Sequence, residues 1–265
     1  MKKETKYIDL FPFPYIDPFL LSNCISELTE SQNLLKSITK KKFESIIEWS
    51  NTKPINSGKY FIDTSPLIHR TAHSLSINFD QRLQSRNSTS EFIKIKKLEN
   101  NLYKNSLSSR NRFFYMIKNL HSLQFKNGSN FREIDSSTGD LGGGFRLRYP
   151  RHQFFEEALE NLRETLIANT ETHPISAAIL AYAGILAIHP FVDGNGRTAR
   201  LLFNLILMQE ISDFSFIPIH ELNISSKSSI SIYLRESLFT HDLRPIIFSL
   251  TSCIKCTHNI INNQI

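Results

Sequence analysis

One segment of the chain is apolar on every side if it is helical, and this constrains the fold more than any other feature. Residues 175–188 carry alanine, leucine or isoleucine at most positions, and Pro174 precedes them. A proline at the first helical position favours a helix start. A helix without a polar face must be enclosed by others. A second, largely apolar helix is predicted over 198–211. The sequence therefore predicts a mainly α protein built around a buried helix.

Hydrophobic periodicity predicts further helices on both sides of this pair. The clearest are expected over 91–104, 109–123 and 152–168, and Ser65-Pro66 is typical of a helix start. Two or three more helices are expected to complete the chain after residue 211.

Length and composition fit one large domain, or a domain with an appended subdomain. The chain has 265 residues, 40% of them hydrophobic, and its 9 glycines and 10 prolines exclude a fibrous or disordered class. We place a boundary in the polar stretch 85–90. Residues 1–85 are then an N-terminal helical region with an extended aromatic arm at 10–15, and residues 86–265 form the core domain.

The net charge of +6 and the pI of about 9.2 favour acidic partners, namely nucleotides, nucleic acid or an acidic protein. Much of the excess lies between Lys94 and Lys118, which is either a solvated helical face or a nucleic-acid patch. Three cysteines exclude a disulfide framework and indicate a reducing compartment. We interpret Cys253 and Cys256 as helix-face thiols rather than metal ligands.

No segment is long enough to span a bilayer, so no membrane association is expected. Prolines and aspartates interrupt the apolar stretch behind the N-terminal lysines, and a cleaved signal is therefore not expected. The sequence favours a cytoplasmic protein, or one delivered into a host cell by a secretion route that needs no cleaved signal.

The twelve residues that join the two apolar helices, 189–200, contain an anion-binding pattern. The glycines flanking Asn195 let backbone N–H groups approach a ligand closely. They lie just ahead of a helix, whose N-terminal N–H groups and dipole favour anions. Arg197 and Arg200 follow on one helical face, and their planar forks suit phosphate oxygens. The predicted polyphosphate ligands are Gly194, Asn195, Gly196, Arg197 and Arg200.

His189 and Asp193 supply the reactive groups of this loop. A carboxylate beside a phosphate site repels the ligand unless a divalent cation bridges the two, and Mg²⁺ suits such oxygen ligands. An N-cap role is the alternative for Asp193. His189 precedes Pro190, which ends the helix. It is either a helix-dipole partner or a base that removes a proton from a hydroxyl near neutral pH. Phe191 is predicted to anchor the loop in the core.

Glycines cluster again between residues 126 and 149. Short alternating runs at 131–134 and 145–148 flank them. This pattern predicts a small β-hairpin with a glycine-rich tip.

The stretch 189–200 resembles the motif of the Fic family, H-x-F-x-[D/E]-G-N-G-R-x-x-R, at every specified position. The resemblance covers about residues 109–250. It implies a Fic-type helical bundle in which the hairpin, at about 126–149, forms a flap over the active site and docks a target. Phe131, Arg132 and Ile134 are the expected docking residues of this flap.

The resemblance also implies a reaction, transfer of AMP from ATP to a Ser, Thr or Tyr hydroxyl of a target protein. His189 would be the general base and Asp193 would hold Mg²⁺. Residues 194–196 would surround the α- and β-phosphates, and Arg197 and Arg200 would bind the remaining charge. Alternatives are a Fic-fold transferase of UMP, phosphocholine or phosphoryl groups, a binding module that does not turn over, and a nucleic-acid-binding protein. Nucleic acid is the less favoured partner, and a separate inhibitory protein stays open.

Many members of this family carry an inhibitory helix whose glutamate pairs with the second arginine of the motif. The segment Ser74–Asn78 is similar to that element but has an amide at the glutamate position. If this segment is the inhibitory helix, the ion pair cannot form, and weak or absent autoinhibition is expected. Ordinary helix residues are the alternative interpretation.

Overall fold

The computed structural model describes residues 6–9, 21–22, 24–52, 88–125, 130–138, 145–225 and 229–263. Helices dominate this part of the chain, as the sequence predicts. In chain order they are α1 (Ile25–Lys36), α2 (Lys40–Thr52), α3 (Ser88–Lys96), α4 (Leu102–Leu107), α5 (Arg110–Ser122), α6 (Phe155–Thr170), α7 (Pro174–Ile188), α8 (Asn195–Glu210), α9 (Ile219–Ser225), α10 (Ser229–Thr240) and α11 (Arg244–Asn263). The strands are β1 (Lys6–Asp9) and β2 (Phe145–Arg148).

Helix α7 forms the centre of the core, and the prediction of an enclosed apolar helix is confirmed. It packs between α6 and α8, and α1 and α11 also contact it. Ala183, Ile185 and Ile188 are completely buried, and Pro174 occupies the first turn. The same hydrophobic core continues into α1 and α2 through Leu28, Leu35 and Phe43. The division of the chain near residue 86 remains a prediction.

Two helix predictions need correction. The single helix expected over 91–104 is two helices, α3 and α4, because the chain turns at residues 97–101 and Asn101 takes a left-handed conformation with φ of 62°. Helix α8 begins at Asn195 rather than at residue 198, since the loop before it fixes the first turn. The predicted helix start at Ser65 and the candidate inhibitory segment Ser74–Asn78 lie outside the described residues.

The predicted hairpin is only partly present. Of its two expected strands, β2 forms, whereas residues 131–134 are irregular. Antiparallel contacts instead join β2 to residues 136–138: Thr138 N–H donates to the Leu147 carbonyl at 2.9 Å, and Tyr149 N–H donates to the Ser136 carbonyl at 3.0 Å. The buried Arg132 holds the first segment against the motif loop and prevents it from extending, as described below. The other edge of β2 pairs in parallel with β1.

Across the described residues, every helix is too short or too polar to cross a lipid bilayer.

Candidate active site

His189 stands where α7 ends and the chain reverses. It has a left-handed backbone, with φ of 54° and ψ of 57°, a conformation that costs free energy in any residue other than glycine. Pro190 follows and cannot continue the helix. Arg132 stabilises the turn from the neighbouring segment: its Nε donates to the His189 carbonyl at 2.8 Å, and its backbone N–H donates to the Pro190 carbonyl at 2.9 Å.

The guanidinium of Arg132 bonds to two further backbone carbonyls, of Ile134 at 2.8 Å and of Pro150. Its side chain is almost fully buried, at 2% exposure. The prediction that this side chain contacts a target is therefore wrong. Arg132 instead ties the flap segment to the motif loop, because each buried carbonyl needs a donor.

The other two predicted docking residues, Phe131 and Ile134, differ from each other in burial. Phe131 is half-buried and packs edge-on against Phe155, at a ring-centroid distance of 5.2 Å, so it belongs to the core margin. Ile134 is 64% exposed, an arrangement that fits contact with another molecule.

The imidazole of His189 lies between the Tyr149 ring and the motif loop. Tyr149 stacks on it with ring centroids 3.8 Å apart and an angle of 11° between the planes. Burial lowers the pKa of His189 to about 4, Arg132 adds to the decrease, and the Leu186 carbonyl and Asp193 oppose it. His189 is only partly buried as a residue. It is therefore neutral at physiological pH and still reachable from solvent.

The two ring nitrogens of His189 are not equivalent. Nδ1 is fully enclosed and cannot be reached from solvent. Nε2 is consequently the nitrogen that can meet a substrate hydroxyl.

Asn195 closes the motif loop through its side chain. Its Oδ1 accepts from the Phe191 N–H at 3.0 Å, and its Nδ2 donates to the Phe191 carbonyl at 2.7 Å. Phe191 is buried, which confirms that it anchors the loop in the core. The side chain of Asn195 is thus used for structure, and its backbone lies in the first turn of α8.

His121 and Phe125 pack against the motif loop from outside, and together we call them the bracket. His121 stacks on Phe191, with ring centroids 3.8 Å apart, and its Nε2 donates to the Asp193 carbonyl at 2.9 Å. Burial lowers the pKa of His121, which favours the neutral ring. Gly194 has φ of 84°, and a Cβ there would lie 2.2 Å from Phe125. Only glycine fits between this bracket and the first turn of α8.

Asp193 lies on the exposed side of the site and pairs with the largely buried Arg197. The Asp193 carboxylate is 79% exposed and lies 3.2 Å from Nη2 of Arg197. Its other oxygen accepts from the Gly194 N–H at 2.6 Å. The Arg197 guanidinium also covers the Phe125 ring at 4.1 Å. These contacts hold a carboxylate and a cation together at the start of α8.

Arg200 is engaged by a carboxylate that the sequence did not single out. Glu91 on α3 lies 2.6 Å from Nη2 and 3.0 Å from Nε of Arg200, and both side chains are almost completely buried. Burial alone would lower the pKa of Arg200, but the Glu91 carboxylate offsets this and raises it. Glu91 thus supplies the carboxylate that the segment Ser74–Asn78 lacks, whereas the interpretation of that segment itself stays a prediction. Glu91 and Glu99 are the acidic residues of the stretch 86–123, and nothing in the sequence distinguishes them.

Three of the seven cations between Lys94 and Lys118 pair with carboxylates within the molecule. Lys96 pairs with Asp213, Lys104 with Glu210 and Arg110 with Glu156. For these three residues the pairs favour the interpretation of a helical face at the surface, and the nucleic-acid patch stays a prediction.

The aromatic residues of the same stretch do not form a stacking platform, since Phe113 is buried, Phe114 half-buried and Tyr115 exposed. The cysteines at 253 and 256 are thiols on α11. Burial raises the pKa of Cys256 to about 11, and no cluster of metal-binding side chains occurs in the described ranges.

Comparison with known proteins shows what this helical arrangement and its loop are similar to. Residues 114–207 match the model of the Fic/DOC family. It is 40% identical over 86 residues to a protein adenylyltransferase Fic from Nematostella vectensis. That match covers 32% of this chain and 18% of the relative, so the similarity spans less than a fifth of the relative's length.

Two solved structures share the fold. A Fic family protein from Desulfovibrio desulfuricans G20 superposes with a TM-score of 0.53 and 16% identity, covering 96% of this chain and 76% of that one. A Fic domain containing signaling protein from Bacteroides thetaiotaomicron VPI-5482 gives a TM-score of 0.53 and 18% identity, with coverage of 90% and 96%. At these identities the likeness establishes the fold.

Proposed function

We propose that this protein transfers AMP from ATP to a hydroxyl side chain of a target protein. The observation that carries the proposal is the placement of a neutral imidazole, His189, immediately before the helix start that contains Gly194, Asn195 and Gly196. The similarity to a protein adenylyltransferase over 86 residues supports the nucleotide as donor.

In the proposed reaction, His189 accepts the proton of the target hydroxyl through Nε2. The hydroxyl oxygen then forms a bond to the α-phosphorus, and the bond from this phosphorus to the bridging oxygen of the β-phosphate breaks. AMP remains on the target, and pyrophosphate leaves. A base whose pKa is about 4 is fully deprotonated at neutral pH. Stacking on Tyr149 and the bonded backbone at residues 189–190 hold it in one orientation, which reduces the entropic cost of the step.

The start of α8 supplies the phosphate site. Its backbone N–H groups and helix dipole favour an anion. The helix spans 16 residues, and no side chain caps its first turn. Gly196 has open space on its outer side, since a Cβ there would meet nothing closer than 3.9 Å. Arg197 lies beside this turn and would bind phosphate oxygens.

Asp193 is the residue that would hold Mg²⁺. Its carboxylate is exposed and stands beside the phosphate site. A single protein carboxylate is sufficient as a ligand for this ion, because Mg²⁺ keeps several waters and completes its shell with substrate phosphates. When bound, the ion would neutralise phosphate charge.

Glu91 restrains the proposed activity. Arg200 would contribute to triphosphate binding, but in this structure its guanidinium is committed to the buried Glu91 carboxylate. A nucleotide that needs this cation has to displace a charge-assisted bond pair. The target, its docking through the flap and the compartment stay the predictions made from the sequence.

Labelled ATP tests the proposal. The full chain is incubated with cell lysate and ATP that carries the label at either the α- or the γ-phosphate. We expect protein labelling from the α-position alone and its loss in His189→Ala. His258→Ala is the matched control, because His258 lies on α11 away from the motif loop.

Labelling from the γ-position would instead indicate phosphoryl transfer, and labelling from another nucleoside triphosphate would identify a different base. Absence of label with every donor, also in Glu91→Gln, would overturn the proposal.

A further inference from the structure

Residues 6–9, which form β1, occupy the edge of the flap strand β2 that residues 136–138 leave open. β1 lies parallel to β2, and the register pairs Lys6 with Phe145, Tyr7 with Arg146, Ile8 with Leu147 and Asp9 with Arg148. Residues 136–138 take the opposite edge of β2. Both edges of this strand are therefore filled, one by the hairpin itself and one by a segment remote in sequence.

The edge that β1 occupies leads directly to the candidate base. β2 ends at Arg148, and the next residue, Tyr149, stacks on His189 with ring centroids 3.8 Å apart. Asp9 pairs with Arg148, so the end of β1 lies level with the residue that precedes this stack. An extended segment paired with this edge therefore has one end close to the His189 imidazole.

The resemblance already implies that a target docks on the flap, and we propose that residues 6–9 of this chain occupy the outer edge of β2 as an internal competitor until a target strand displaces them. This inference rests on the proposed function. Strand addition obtains affinity from backbone hydrogen bonds and selectivity from alternate side chains. The expected target segment runs parallel to β2. It carries an apolar residue opposite the buried Leu147, where this chain has Ile8, and an acidic residue opposite Arg148, where it has Asp9.

The pairing of β1 with β2 is weak enough for β1 to be exchanged for another strand. The ladder covers 4 residues, and isolated two-stranded pairs of this kind are marginal in water. Because β1 belongs to the same chain, its effective concentration at the edge is on the order of millimolar. A target segment must bind β2 strongly enough to compete with β1 at that concentration. A purely protective strand, which natural proteins use to cover sheet edges, would not exchange.

A peptide-binding experiment separates these two cases. The probe is a fluorescein-labelled synthetic peptide with the sequence of residues 4–11, and binding is followed by anisotropy. The full chain is compared with its double variant Tyr7→Pro/Ile8→Pro. Proline removes the backbone donor, and two adjacent prolines include whichever residue donates to β2. Lys2→Pro/Lys3→Pro, outside the strand, is the matched control.

We expect the peptide to bind the Tyr7/Ile8 variant at least tenfold more tightly than the wild type or the control. Equal binding to all three chains, or no binding to the variant, would overturn the inference. A second measurement does not depend on the variant: excess peptide added to the wild type should accelerate hydrogen exchange at residues 6–9 and leave 145–148 protected. Unchanged exchange at 6–9 would count against displacement.

The peptide measurements require no nucleotide, so they decide this inference even if no transfer is found. Where transfer is found, the Tyr7/Ile8 variant should label lysate proteins more strongly than the wild type, and the peptide should compete. Unchanged labelling by an active enzyme would mean that targets dock elsewhere, while the proposed function would stand.

Discussion

The carboxylate of Glu91 lies 2.6 Å from the Arg200 guanidinium, and the two residues are 109 positions apart in the sequence. This buried pair fastens α3 to α8 at the place where a triphosphate would bind. The same contact therefore stabilises the fold and opposes the ligand.

Replacing Glu91 by glutamine should separate these two effects. Loss of one partner leaves Arg200 buried without its counter-charge, which typically costs roughly 3–5 kcal/mol. We expect a lower melting temperature without nucleotide, a larger increase on addition of ATP than in the wild type, and transfer raised by about tenfold or more. Differential scanning fluorimetry with and without ATP measures the first two. Glu99→Gln is the control, since Glu99 is an exposed glutamate near the same helix. An unchanged ATP response in the Glu91 variant would contradict the restraint.

The rate of transfer should depend on pH through His189. Because burial holds the pKa of this imidazole at about 4, well below the ordinary value of about 6.5, protonation should reduce kcat/KM only as the pH approaches 4. Folding stability shifts in the same range. The unfolded chain binds a proton at His189 below about pH 6.5 and the folded chain does not, so stability falls as the pH drops from that value towards 4. Rate profiles and chemical denaturation across this range test both statements. An acid limb near pH 6.5 would show that the imidazole is not desolvated.

Tyr149 should act on the base through its ring rather than its hydroxyl. Tyr149→Phe retains the stacked ring, and we expect a nearly unchanged pH profile. Tyr149→Leu removes the flat partner and opens the imidazole to water, so the pKa of His189 should rise towards its ordinary value and kcat should fall. Titration of the histidine ring by NMR measures the pKa directly. If the phenylalanine variant lost activity as fully as the leucine variant, the hydroxyl would be the important group.

The two glycines of the loop should respond differently to alanine. Gly194→Ala places a Cβ against Phe125 at φ of 84°, so we expect destabilisation by more than about 2 kcal/mol and loss of transfer. Gly196→Ala meets no atom closer than 3.9 Å and lies in a helix. It should fold normally yet bind ATP more weakly, because the methyl group limits the approach of phosphate. Urea denaturation and ATP titration of both variants give the comparison. Equal stability of the two would disprove the steric argument for residue 194.

Local patterns predicted the parts of the molecule whose causes are local. The enclosed α7, the inward Phe191 and the grouping of residues 189–200 follow from hydrophobic period, proline and glycine placement, and the structure brings these residues together. Glu91 and the structural role of Arg132 escaped prediction because their partners are 109 and 57 positions away and neither contact leaves a signal in its own segment. β1 escaped prediction for a similar reason, since its partner strand is set by tertiary packing.

The bonds that Asn195 makes to Phe191 also govern how the protein ages chemically. Asn-Gly sequences deamidate readily, because the glycine nitrogen can attack the side-chain carbonyl carbon and form a succinimide. Here both polar atoms of the Asn195 amide are held by Phe191 and the following residue lies in a helix, which disfavours the geometry that ring closure needs. We therefore expect deamidation at this position to be faster in unfolded molecules, and each such event replaces the amide donor of the loop with a carboxylate acceptor.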